Sequence, residues 1–542
     1  MTSRWGSRRV DVAAVAALLS AAAALRIPLL RTGFWRDEAY TYFDAVPQSF
    51  GTLIHRLMLG EVHPPLFFVL EHAWGSAAGW GDVALKVPAL AFGLALVVAT
   101  YVLGALAGGR TCATIAAAVV AFDPLHISMS AEARPYSLAA LLVVTVTLAF
   151  CWWVRSESLA SGVALVVSGA ALAYTQYTGL IFLAAPALTA FFCLRGPRRR
   201  RTIALFALTG AALTPWIPFA AAQVAVAAPW KREYAFGDMP GLAMAHLGDG
   251  VPLVHSLGAV APLLFGAVLA VAMALPFRSI ARTNVALTVC VLGAAIASVV
   301  EAALSYDEPR YFYPFSALVT VFLSWGAANA IRLARSTANV RVLRVGFVLA
   351  ATTIAVGAWH GVAYTAATAS LSKSGIRDLA AAGGEDRAHT LYLTSPDYFA
   401  ATLAYYERGR TVTVHGFARW NTPEIFDLHG YAEAWDDPRN LERTLAAVDD
   451  ARRHGYREVL LVDGTRPGMR LMDQGRVRYS ATWTLLEALR RRYPIEAASE
   501  FPGIQEGVTA YRLRLVAPTT TVATRVSAAS LPRRYARSGR AP

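Results

Sequence analysis

Charge is scarce in this 542-residue sequence. Only 16% of residues are charged, 56% are hydrophobic, and the mean hydropathy is +0.43. A soluble domain carries about 25% charged residues, so a disordered chain, a coiled coil and an ordinary soluble enzyme are excluded. Lysine is almost missing, occurring only at Lys86, Lys231 and Lys373, and the net charge of +14 is therefore carried by arginine. These arginines sit in short linkers between apolar runs, a topology signal rather than a nucleic-acid footprint. Cysteine is limited to Cys112, Cys151, Cys193 and Cys290, all in or beside apolar runs and none at metal-ligand spacing. There is no internal repeat. No Gly-rich phosphate loop follows a strand, and Gly383-Gly384 lacks that context.

Long hydrophobic runs fill the space left by charge. Eleven are long enough to count as candidate spans at roughly 20 residues each: 10–30, 83–107, 111–129, 137–154, 159–174, 177–194, 203–225, 257–277, 285–304, 312–331 and 345–366. The third is interrupted by Asp123-Pro124, and the fifth is short. The first lacks a small-residue cleavage pattern, so it reads as a retained span. With the N-terminus in the cytoplasm, Arg110, Arg155, the Arg195–Arg201 run, Arg278, Arg282, Arg332, Arg335, Arg341 and Arg344 all fall inside. Shifting the frame by one span scatters them, against the positive-inside rule. The outer side then receives loops 31–82, 123–136, 226–256 and 305–311, together with everything after the last span.

After about Ser370 the composition changes. Strands are expected at 390–394, 411–414, 458–462 and 508–516, and helices at 398–408, 441–454 and 482–492. That alternation indicates a small α/β domain. The expected organisation is a membrane domain over 1–367, an extracytoplasmic α/β domain over 368–516, and a disordered Thr-, Ser- and Arg-rich tail over 517–542.

The spans are nearly free of charge at mid-depth. Arg26, Lys86 and Glu301 lie near the external ends, whereas an ion-coupled transporter carries acidic groups near the midplane. The polar outliers collect on the external face instead. Gly33-Phe-Trp-Arg-Asp-Glu-Ala39 places Asp37 and Glu38 at the membrane mouth, where a carboxylate can act as general base or ligate a cation. Glu61-Val-His-Pro-Pro-Leu66 follows an amphipathic helix marked by Phe50, Leu53, Ile54, Leu57 and Met58, and its two prolines mount His63 rigidly. Ala131-Glu-Ala-Arg-Pro-Tyr-Ser137 sets Arg134 at the start of a span, with Pro135 suited to a first helical position. Glu308-Pro-Arg-Tyr311 repeats that logic with Arg310. Two interfacial arginines on the outer side suit a phosphate carried by lipid.

Arg36-Asp-Glu-Ala39, His63-Pro-Pro-Leu66, Gly81-Asp82 with Lys86-Val-Pro88, and Glu132-Ala-Arg-Pro-Tyr136 carry a resemblance. In their order and common side, residues 34–194 resemble polyprenyl-phosphate-sugar-dependent glycosyltransferases of the GT-C superfamily. The branch is the one related to protein O-mannosyltransferases and lipid A aminoarabinose transferases, similar to glycosyltransferase family 39. Across the later spans the likeness rests on Pro309-Arg-Tyr311. Lys86 stands where Arg is common, and Ala131 where an amide often precedes Glu132. The resemblance implies a polytopic α-helical membrane enzyme of about eleven spans in the cell membrane. It implies an inverting sugar transfer from a polyprenyl-phosphate donor on the external face. Asp37 is the implied catalytic base, with His63 and Arg134 near the donor phosphate.

The residues themselves suit that chemistry. Glu38 either shares the base role or holds a divalent cation; no other cofactor is indicated. Arg310 adds a phosphate contact, Glu132 belongs to the same site, and Tyr136 and Tyr311 shape the pocket. The donor must be membrane-borne, since the cell exterior lacks nucleotide sugars. Mannose, arabinose, glucose and aminoarabinose all fit, as do glycan, lipid and protein acceptors. The rival readings are a lipid-linked sugar flippase, which needs no base at Asp37, and a non-catalytic scaffold.

Overall fold

A computed structural model describes residues 11–47, 49–225, 282–303, 308–336, 340–383, 386–417, 423–425, 429, 437–464, 472–473, 476–477 and 480–515. The expected span 257–277, Lys231, loop 226–256 and tail 517–542 lie outside these. Twelve helices are numbered here up to residue 225: α1 Val12–Arg26, α2 Arg36–Ala45, α3 Phe50–Gly60, α4 Leu66–Ala78, α5 Asp82–Gly108, α6 Arg110–Phe122, α7 Pro124–Met129, α8 Tyr136–Ser156, α9 Leu159–Ala173, α10 Thr178–Cys193, α11 Gly196–Ala211 and α12 Ile217–Ala225. Helices Arg282–Ala303, Pro309–Ser336 and Val340–Thr368 follow.

Among the described residues, six helices are long and apolar enough to cross a membrane: Val12–Thr32, Asp82–Gly108, Tyr136–Ser156, Gly196–Gln223, Val285–Ala302 and Pro309–Arg332. Three shorter apolar helices, Arg110–Phe122, Leu159–Ala173 and Thr178–Cys193, accompany them. The third expected span is two helices. Asp123 ends α6 and caps α7, its carboxylate accepting from His126 N at 2.9 Å, while Pro124 opens α7.

The membrane core packs α5, α6, α8 and Pro309–Ser336 through Tyr101, Tyr136, Tyr313 and Trp325, all at most 1% exposed. At Gly104 a Cβ would stand 2.8 Å from the Ala113 backbone, so only glycine lets α5 and α6 approach this closely. α3 and α4 lie beside the bundle, joined to it through Leu53, Leu57, Phe67, Phe68 and Leu138.

The C-terminal part is a five-stranded sheet in the order β2-β1-β3-β7-β6, with β1 Thr390–Ser395, β2 Thr413–Gly416, β3 Glu458–Asp463, β6 Ile495–Phe501 and β7 Val508–Arg514. A separate ribbon pairs β4 Met472–Asp473 with β5 Arg476–Val477. β1 is parallel to β2 and β3, while β7 is antiparallel to β3 and β6. Helices Phe399–Tyr406, Asn440–Arg453 and Ser480–Arg492 answer the expected ones. Helix Gly375–Ala382 and strand β6 were not expected. β6 is exposed along nearly its whole length, so it lacks the apolar alternation that marks a half-buried strand.

Candidate functional site

Four chain segments converge where α1 ends: the N-terminus of α2, the 61–65 loop between α3 and α4, the 130–135 turn between α7 and α8, and the N-terminus of Pro309–Ser336. Asp37 and Glu38 lie in the first turn of α2, where carboxylates are favoured by the open backbone N–H groups. Pro64-Pro65 leads directly into α4, and Pro135 is the residue before α8 rather than its first.

Asp37 is the hub. Its Oδ2 accepts from Arg310 Nη1 at 2.7 Å and its Oδ1 from Arg36 Nε at 3.0 Å. The Arg310 guanidinium lies 5.2 Å from the centroids of both the Trp35 and Tyr311 rings. Deeper in, Arg134 presents its fork to Glu61, with Nη1 to Oε2 at 2.8 Å and Nη2 to Oε1 at 3.2 Å. Arg134 Nη1 also reaches Thr41 Oγ1 at 3.2 Å and the Asp37 carbonyl at 3.4 Å. His63 Nδ1 is 2.5 Å from Glu61 Oε1 and 3.1 Å from Arg134 Nη2. The His63 and Tyr136 rings meet edge-on at 5.5 Å, and Tyr136 meets Tyr311 at 6.3 Å. Asp37, His63, Arg134, Tyr136, Arg310 and Tyr311 thus form one continuous cluster.

Accessibility grades across it. The side chains of Arg36 and Asp37 are 28% and 17% exposed, Arg310 11%, and Arg134 and Glu61 only 6% and 5%. Burial by itself would raise the Asp37 carboxyl, but Arg36, Arg310 and Arg134 outweigh it and hold Asp37 well below the usual carboxylate range. Glu61 behaves alike: against burial, Arg134 and His63 lower it to about 2. Burial lowers His63 despite the opposing pull of Glu61, which favours the neutral imidazole. Three guanidiniums therefore face two ionised carboxylates, with half-exposed Glu308 at the rim 2.7 Å from Arg310 Nε. The arrangement can accept an anion by exchanging partners on Arg36 and Arg310.

Glu38 and Glu132 stand elsewhere. Glu38 is fully buried; its Oε1 accepts from Lys373 Nζ at 3.1 Å and Ala133 N at 2.9 Å, with Lys86 Nζ at 3.8 Å. Glu132 Oε1 is 3.8 Å from Lys373 Nζ. Burial raises the Glu132 carboxyl, with Lys373 opposing the shift. Glu38, expected to share the base role or hold a cation, is placed with its carboxylate fully buried against Lys373 and Ala133 N. Successive helical residues point roughly 100° apart, so the two adjacent carboxylates face different neighbours. Among the described residues, no group of three or more His, Cys, Asp or Glu is placed to hold a metal ion.

No family model matches the sequence, and no curated protein matches it by sequence. Solved structures do match. ArnT from Cupriavidus metallidurans in the apo state is 12% identical and superposes over 92% of this chain and 97% of its own, with a TM-score of 0.56. The same protein bound to undecaprenyl phosphate is 13% identical, with 94% and 99% covered and a TM-score of 0.55. The archaeal oligosaccharyltransferase AglB from Archaeoglobus fulgidus, in complex with an inhibitory peptide and a dolichol-phosphate, is 11% identical over 83% of this chain and 69% of its own, with a TM-score of 0.49.

The chain has the GT-C fold. Four residues with no role assigned from the sequence also join these clusters: Glu61, Arg36, Lys373 and Glu506. Glu61 was legible in principle, two residues before His63 in the same motif. Glu506 was not: its Oε1 accepts from Arg36 N at 3.1 Å across 470 residues. Buried Glu506 has its carboxyl raised to about 7, with Arg36 pulling the other way.

Proposed function

We propose that this chain is a membrane glycosyltransferase that moves a sugar, with inversion, from a polyprenyl-phosphate donor to an extracytoplasmic glycan, lipid or protein. The observation that carries this reading is the Asp37–Arg310 pair at 2.7 Å, a carboxylate and a guanidinium in direct contact at the mouth of a GT-C fold. Support also comes from ArnT, which has this fold and is described bound to undecaprenyl phosphate.

The chemistry follows from the geometry. In the resting site Asp37 is tied to two arginines, and a carboxylate so stabilised is a weak base. A donor phosphate competes for Arg36 and Arg310, and their withdrawal raises the basicity of Asp37. Asp37 then takes the acceptor hydroxyl proton as the acceptor oxygen attacks the anomeric carbon. The bond from that carbon to the phosphate oxygen breaks, and polyprenyl phosphate leaves with the electron pair. Arg310, with Arg134 and His63 behind it, stabilises the charge that develops on the leaving group. A single displacement inverts the centre. Tyr136 and Tyr311 wall the pocket between His63 and Arg310.

The test is to incubate the purified protein with polyprenyl-phosphate sugars labelled in the sugar and in the lipid phosphate, together with an envelope extract as acceptor. Release of polyprenyl phosphate with labelled acceptor supports transfer. Lipid movement across vesicles without release would instead make the protein a transporter, and neither would leave a scaffold.

A further inference from the structure

Lys373 lies in the segment entering the C-terminal domain, yet its amine is buried in the membrane half. Nζ donates to Glu38 Oε1 at 3.1 Å and to the Ala131 carbonyl at 3.0 Å, and lies 3.8 Å from Glu132 Oε1. The side chain is 9% exposed. Its backbone is held from both sides. Lys373 N donates to the Thr32 carbonyl at 2.7 Å, and its own carbonyl accepts from Gln505 N at 2.9 Å and Glu506 N at 3.1 Å. The amine is therefore aimed rather than free to search.

The atoms it joins belong to two different pieces of the site. Glu38 directly follows Asp37. Ala131 and Glu132 belong to the turn that carries Arg134, and Glu38 Oε1 binds the same turn through Ala133 N at 2.9 Å. One compact ammonium suits two acceptors converging from two chain segments, with the Glu132 carboxyl beside them at 3.8 Å, a task a planar guanidinium or an apolar side chain meets less well. Two buried carboxyl groups, Glu38 and Glu132, stand against two buried amines, Lys373 and Lys86. Independently, Glu506 ties the other side of the α2 terminus to the same domain through Arg36 N.

We infer that Lys373 is a positioning residue: with Glu38 it clasps the start of α2 to the 130–134 turn and so sets where Asp37 stands relative to Arg134. The C-terminal domain thereby completes the membrane site rather than capping it. This rests on the glycosyltransferase reading above.

The experiment compares full-length Lys373→Met, Lys373→Arg and the double variant Lys373→Met/Glu132→Gln with wild type, per folded molecule in detergent. Misplacing a reacting group by about 1 Å can cost about 10²-fold. Lys373→Met should accordingly lose about tenfold or more in kcat while donor KM changes less than about threefold, and Lys373→Arg, which keeps the charge but not the compact donor head, should recover only part of the loss. The double variant removes the excess buried carboxylate and should keep the defect even where the single variant fails to fold. Wild-type kcat in either Met variant would overturn the inference. So would failure of the double variant to fold, which would assign Lys373 to assembly alone. If the wild type itself turns over no donor, the functional reading fails instead. The clasp is then judged by hydrogen exchange: faster exchange at residues 36–39 in the Met variant supports it, and unchanged exchange overturns it.

Discussion

Replacing Glu61 by Gln perturbs one atom at the base of the cluster. In the wild type Glu61 accepts two bonds from Arg134, at 2.8 and 3.2 Å, and further bonds from Val62 N at 2.9 Å and His63 N at 3.1 Å. The Arg134 fork and the two backbone N–H groups use both carboxylate oxygens as acceptors, and an amide supplies only one. Arg134, nearly fully buried, keeps its charge but loses its paired counter-charge, with only the more distant Asp37 left. Breaking a buried pair from one side costs about 3–5 kcal/mol. The depression of the Glu61 carboxyl corresponds to a similar size. A carboxyl lowered from 4.5 to about 2 by Arg134 and His63, against burial, contributes about 3 kcal/mol at neutral pH. Because the folded-state value is depressed, that contribution is complete above about pH 4.5 and disappears as pH falls through about 2. Unfolding in mixed micelles, followed against pH, should show Glu61→Gln about 3 kcal/mol less stable at neutral pH, with the gap closing in acid. Equal stability at neutral pH, or a gap that does not narrow in acid, would refute the argument that Glu61 is the ionised partner of Arg134.

Asp37→Asn should lower transfer by about 10²–10⁴-fold with the protein still folded, measured as polyprenyl phosphate released per molecule; near-normal turnover would move the base elsewhere. Arg310→Lys keeps the charge but loses the fork, and should weaken donor binding by about tenfold or more in a direct binding assay. Unchanged affinity would leave Arg36 and Arg134 as the phosphate contacts. A cysteine placed at Gly196 in a Cys-free background should resist impermeant label from outside, while one at Ser395 should react; the reverse would invert the topology and the site with it.

The composition made a polytopic membrane chain inescapable, because so much apolar surface with so little charge has no other stable solvent. Most helix positions were legible from the runs, as were the break at Asp123-Pro124 and the alternation of strands and helices after Ser370. Of the site, the local motifs around Asp37, His63 and Arg134 were visible because each packs its polar outliers within a few residues of a helix start. Their partnerships were not visible. Nothing in the sequence joins Asp37 to Arg310, 273 residues apart and 2.7 Å in space, or Glu38 to Lys373, 335 residues apart.

The dipeptide Asp37-Glu38 shows the division best. The sequence by itself determined that two carboxylates would stand at the mouth of the membrane domain, since patterning, capping and helix starts are local. Only the tertiary structure decided that one faces Arg310 and Arg36 while the other is buried against Lys373 and the 130–134 turn. Helical twist turns neighbours away from each other, and what each then meets depends on segments hundreds of residues distant, brought there by packing that no local pattern records.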